Sequence, residues 1–137
     1  LQKGYGSEQM EQCSFKDHFV SFQKEIDAIW DYSETAAIID NCDLIITNDC
    51  SVGPLAAGMG KEGWLLLKKI PFWYWGLIGE KTFWYPSMRL FRQNELYNWD
   101  EVVERISIEL NICIKSREIK SKGNLIKKTF SRIFSNK

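Results

Sequence analysis

Hydrophobic positions in this chain alternate between short apolar runs and stretches spaced for a helix, and that rhythm predicts its elements. DLIITND carries four apolar or β-branched residues between Asp43 and Asn48, which predicts a strand buried on both faces. GWLLL, residues 63–67, predicts a second buried strand, and MRLFRQ a last one with alternating polarity. HFVSFQ, from His18 to Gln23, is a short candidate strand, while LQKGYGSEQ reads as a strand end entering a glycine loop. Three segments between them predict helices. SETAAIIDNC is a short one, capped by Asp31 or Ser33. SVGPLAAGM is built of small residues. NWDEVVERISIELNICI is long, with Asn98 as cap and Glu101 in the capping-box position. Strands alternating with helices predict an α/β domain with a parallel sheet, residues 43–48 and 63–67 at its centre.

Two stretches fall outside the rhythm. IPFWYWGLIGEKTFWYPS is an aromatic loop, and most of its rings read as a hydrophobic plug over the sheet edge. Beyond a Lys-rich patch, KSREIKSKGN, the residues Leu125, Ile126, Thr129, Phe130, Ile133 and Phe134 return at helical spacing. This predicts a basic amphipathic helix, with docking on protein preferred over an anionic membrane surface because the stripe is short and lacks Trp. The expected division is therefore 1–111 as the α/β domain and 112–137 as a basic helical tail.

Composition sharpens that division. The chain has 137 residues and no net charge, yet residues 1–111 hold 10 Lys+Arg against 17 Asp+Glu, and 112–137 hold 8 against 1. Arg89 and Arg92, at alternating positions of the last strand, read as one exposed face, so no nucleic-acid partner is expected. Four cysteines without CxxC spacing and a single His18 cannot make a zinc set, so no metal is expected. Reduced cysteines and the lack of a long apolar run suggest a cytoplasmic protein. The chain opens at Leu1 inside a strand-to-loop junction, and is expected to be a piece of something longer.

The stretch TNDCSVGPLAAGMGK, residues 47–61, decides the chemistry. A strand delivers the chain to the carboxyl edge of the sheet, where the next helix presents unpaired N–H groups suited to a phosphate. Cys50, Ser51 and Gly53 would let an anion approach, and Pro54, which has no N–H, places the cap at Ser51. The other reading is that Gly53, Ala56, Ala57 and Gly58 merely allow a helix to pack closely on the sheet. The pattern GxxxxGK[ST] is not present.

Taken together, LQKG, SETAAIIDNCDLIITNDCSVGPLAAGMGK, GWLLL, PFWYWGLIGEKTFWYPSMRLFRQ and NWDEVVERI resemble one family. It is the tetratricopeptide-linked bacterial glycosyltransferases allied to glycosyltransferase family 9, the heptosyltransferases. The resemblance runs from Leu1 to about Leu110, and WYPSMRLFRQ is its most specific piece. It implies the C-terminal, donor-binding half of a GT-B fold, a Rossmann-like parallel sheet flanked by helices. The implied reaction is inverting, metal-free transfer from a nucleoside-diphosphate sugar, with no other cofactor. The acceptor half would be missing, and with it the general base, so this fragment alone would be inactive.

Site roles follow from the same resemblance. Lys3 matches a basic residue placed against the donor diphosphate. Asp49, Cys50, Ser51 and Val52 match a D-T-S-V segment whose amides and hydroxyl hold phosphate oxygens; Cys50 replaces the Thr but keeps its N–H. Pro54 stands where the family has His. Trp73 and Trp75 match P-x-W-x-W, and with Thr35 near the start of its helix they are candidate sugar or base contacts. Asp49 reads equally well as a plain helix cap. No catalytic residue is assigned. A homodimer through the aromatic loop or the C-terminal helix is a further expectation. The alternative reading is a degenerate, non-catalytic domain that binds nucleotide or protein.

Overall fold

The computed structural model describes residues 6–18, 28 and 31–134, with backbone alone at 7 and from 120 onward. Strands β1 (Ile45–Asn48), β2 (Gly63–Leu67) and β3 (Met88–Arg92) form a three-stranded parallel sheet in the order β1-β2-β3. Ile45 pairs with Gly63, and Gly63 with Met88. Helices α1 (Ser33–Asp40), α2 (Val52–Gly58) and α3 (Asp100–Phe134) flank it. The chain is thus α/β, with β1 and β2 parallel as the sequence predicts.

Side-chain alternation along the strands divides the core between two faces. Leu65 and Leu67 of β2 join Met88 and Leu90 of β3 in one cluster with Ala57 of α2 and Trp75. Trp64 and Phe91 point the other way, onto Val102 and Ile106 of α3, with their rings 5.2 Å apart. A third cluster joins Ile39 of α1, Ile45 and Ala56, which seats α1 against the start of the sheet.

β1 is not the central strand, nor is it buried on both faces. It is an edge among the described residues, and Ile46 is 39% exposed because α3 lies over β3 and β2. The link from β2 to β3 holds no α-helix. The aromatic loop makes the crossover instead, touching the sheet through Trp75, Tyr74 and Tyr85, but Phe72, Trp73, Phe83 and Trp84 are exposed, so most of its rings do not form the expected plug. Its Glu80 carbonyl accepts from Leu90 N–H at 2.8 Å, which covers the outer edge of β3.

Local expectations fare unevenly. The N-cap of α1 is Tyr32, not Asp31 or Ser33 as expected, and it makes no side-chain cap bond; Asp31, one residue earlier, accepts from Ser33 N–H through Oδ1 at 2.8 Å. Asn98 Oδ1 accepts from Asp100 N–H at 3.2 Å. Glu101 does not close a capping box: its carboxylate takes Asn94 N–H at 2.7 Å and Arg105 at 2.9 Å. α3 runs unbroken to Phe134, so the 111/112 boundary and the KSREIKSKGN patch fall inside one helix. Its side chains from 120 onward, like the body of HFVSFQ, lie outside the described residues, while His18 ends a 3-10 turn. Gly6 opens another 3-10 turn at φ 97°, a conformation glycine adopts without strain.

Arg89 and Arg92 do not share a face, since three residues along a strand reverse the side. Arg89 reaches Glu80 of the loop at 2.9 Å and Glu109 of α3 at 2.8 Å. The guanidinium holds the Glu109 carboxyl below the usual carboxylate range. That contribution is present above the unfolded pKa and is lost as pH falls through the lower folded value. Glu109→Gln should therefore cost stability near neutral pH and progressively less as falling pH protonates the carboxylate. Urea unfolding across a falling pH series checks this; a deficit that does not change with pH would show that charge is not the cause.

Candidate functional site

β1 ends at Asn48 and the chain turns within three residues into α2, with Ser51 as the helix N-cap. Pro54 is the third helical residue, inside the first turn, where its missing N–H costs nothing. This is the cap position expected from the sequence. Next to the turn lies an open cleft of about 300 Å³, lined by Asp49, Cys50, Ser51, Pro54, Phe72 and Tyr74.

Each candidate residue is now placed. Asp49 Oδ1 accepts from the Trp75 indole N–H at 2.7 Å, and Oδ2 from Phe72 N–H at 3.5 Å. Asp49 is therefore a tie between the β1–α2 turn and the aromatic loop. It caps no helix, as α2 has no side-chain cap bond. The Cys50 N–H, expected to be free, donates to Asn48 O at 2.8 Å. Its Sγ lies 3.4 Å from Thr47 Oγ1. Among the described residues, the Ser51 and Val52 amides and the Ser51 hydroxyl engage no partner. The Val52 side chain turns away into the cluster of Ile39, Ile45 and Ala56.

The two candidate tryptophans separate completely. Trp73 is 73% exposed, while Trp75 is 1% exposed and belongs to the core, with no face open to a sugar. Thr35 is buried in α1 and does not line the cleft. Lys3 lies outside the described residues. Phe72 and Tyr74 take the lining positions that the sequence reading gave to the tryptophans. Alternation within the short 3-10 turn Trp73–Trp75 and the chain just before it decides this, a geometry that strand or helix periodicity does not reveal.

The Tyr74 phenol in the cleft has its pKa raised above the usual tyrosine value. Burial raises it first, and the Asp49 charge adds to that, so the hydroxyl stays protonated and can donate. The site thus offers the Ser51 amide and hydroxyl, a phenol hydroxyl and two aromatic rings. Among the described residues, no group of three or more His, Cys, Asp or Glu could hold a metal ion.

The close-packing reading of the small residues is also visible. A Cβ on Gly53 would stand 2.8 Å from Leu65 Cδ1, and Ala56 and Ala57 are buried. Gly58 has open space around it. The two readings divide the segment by atoms: the side-chain face of α2 serves packing, and the backbone of its first turn faces the cleft. No protein-family model matches the chain, and no curated protein or solved structure matches it.

Proposed function

We propose that this chain is the Rossmann-like, donor-binding half of a GT-B glycosyltransferase, holding a nucleoside-diphosphate sugar at the cleft beside Ser51. The observation that carries the reading is the unclaimed Ser51 amide and hydroxyl, lining a cleft at the carboxyl edge of a parallel sheet. The resemblance in WYPSMRLFRQ supports it. α2 is only two turns long, so the direct Ser51 donors, with Lys3, supply the attraction more than its dipole does. They stabilise the leaving diphosphate as charge develops. Phe72 and Tyr74 offer rings for the base or sugar. Acceptor and base belong to a further domain, and four free cysteines suit a cytoplasmic setting.

A second reading, a degenerate domain that binds nucleotide without catalysis, draws on Pro54 in the cleft wall and on the engaged Cys50 amide. Calorimetric titration with UDP, ADP and GDP tests the shared claim. Binding is expected to be weak and to fall with rising salt, because only one wall of the cleft is present. Asp49→Asn should strengthen it several-fold: the amide oxygen still accepts from Trp75 while a negative charge beside the diphosphate disappears. Lys3→Ala should weaken it. No binding of any nucleotide at millimolar concentration would leave the turn with its packing role alone.

A further inference from the structure

We propose that the outward face of α3 pairs with the same face of a second copy of this chain, the two helices running antiparallel. The argument starts from two opposed lines of residues along one helix. Val102, Ile106, Leu110 and Cys113 face the sheet and pack on Trp64 and Phe91. Among the described residues, Arg117 is the last tie to the body, reaching Glu62 at 3.2 Å and the Asp43 carbonyl at 3.2 Å. The helix then continues to Phe134. By helical spacing the inward line would run on through positions 120, 124, 128 and 131, which are Lys, Asn, Lys and Ser. The core seam therefore stops where the body stops.

The opposite line does the reverse. Ile108, Ile112 and Ile119 are 54%, 55% and 70% exposed on the solvent side of α3. Positions 126, 130 and 133 continue the same line and are Ile, Phe and Ile. Isoleucine recurs at 112, 119, 126 and 133, a strict interval of seven, the repeat of a helix that packs along another helix. Among the described residues, the domain packs on the other side of α3 and leaves Ile108, Ile112 and Ile119 exposed. A partner that covers this seam lies alongside the helix.

Charge selects the occupant. Residues 100–111 hold Asp100, Glu101, Glu104 and Glu109 against a single Arg105, whereas 112–137 hold 8 Lys+Arg against 1 acid. The helix is acidic at one end and basic at the other, which makes it complementary to itself when reversed. A parallel pair would place Lys115 and Lys122 of the two copies directly against each other. The antiparallel pair sets position 108 against 133 of the second copy and 112 against 129, and keeps those lysines apart. Such an interface is isologous and closes at two copies. A membrane surface fits less well, since the seam is narrow and begins among glutamates.

Light scattering on the full chain is the test. The expected mass is twice the 16.0 kDa of one chain. The double variant Ile112→Glu, Ile119→Glu should give the single mass with the thermal unfolding of the body unchanged, since both positions face solvent. A monomeric parent chain, or a dimer that survives in the double variant, overturns the proposal. Orientation is read by oxidation with the other cysteines changed to Ser. Ile112→Cys with Thr129→Cys should form a covalent dimer, and Ile112→Cys alone should not; the opposite result overturns the antiparallel arrangement. Sedimentation of the chain with phosphatidylglycerol vesicles, lost in the double glutamate variant, would give the seam to a membrane instead.

Discussion

Trp75→Ala is expected to destabilise the domain by about 3–5 kcal/mol, the cost of emptying a large, fully enclosed aromatic site. The indole is 1% exposed and packs with Leu65, Leu67, Met88 and Leu90. Its ring lies 4.6 Å from Tyr74 and 5.5 Å from Tyr85, centre to centre. Against a typical net stability of roughly 5–15 kcal/mol, this one change would leave a sizeable unfolded population. Trp75→Phe separates packing from hydrogen bonding. It keeps most of the ring but removes the N–H that Asp49 accepts, a loss of about 1 kcal/mol because Asp49 is exposed and water can replace the donor. Urea unfolding of both variants measures the difference. If Phe costs as much as Ala, the tie to Asp49 outweighs the packing.

Arg92→Met is expected to cost about 2–3 kcal/mol and to release the aromatic loop. The guanidinium donates to three backbone carbonyls of that loop: Trp75 O at 2.6 Å, Gly76 O at 2.9 Å and Gly79 O at 2.8 Å. No carboxylate pairs with it among the described residues, so the loop carbonyls are what hold this charge in place. Burial pushes its pKa below the usual guanidinium value, still far above neutrality, so the tie does not titrate at physiological pH. Arg92→Lys should recover little, since a single ammonium on a flexible stem cannot span three fixed acceptors. Limited proteolysis reads the local effect, with faster cleavage expected between residues 76 and 84. Unchanged cleavage in Arg92→Met would mean that the loop is held by its rings alone.

The two predictions concern contacts that no local pattern announces. Trp75 and Asp49 are 26 positions apart, and Arg92 reaches back 17 to Trp75. Trp73 and Trp75 look alike in sequence, as paired rings of one motif, yet one is in solvent and the other in the core. The same holds for Arg89 and Arg92, which leave β3 from opposite faces, Arg89 toward the Glu80 and Glu109 carboxylates and Arg92 toward loop carbonyls. The 3-10 turn and the direction of β3 decide these cases, and both depend on what the loop packs against.

What the sequence by itself determined is local and short-range. GWLLL had to be an enclosed strand, because five consecutive apolar or small residues leave no face for water, and β2 is the middle strand of the sheet. Ser51 had to cap α2, because Pro54 lacks an N–H and is accommodated only in a first turn. Parallel pairing followed from helices and a long crossover between the strands. The tertiary structure alone decided that β1 lies at an edge with Ile46 part-exposed, and that the Cys50 amide is spent on Asn48 while those of Ser51 and Val52 remain open. It also decided that α3 passes the body without a break, turning isoleucines at 108, 112 and 119 outward. Hydrophobic periodicity says which residues seek cover and at what interval. Which neighbour supplies that cover depends on where the chain returns after loops of many residues, a choice made by the packing of the whole domain.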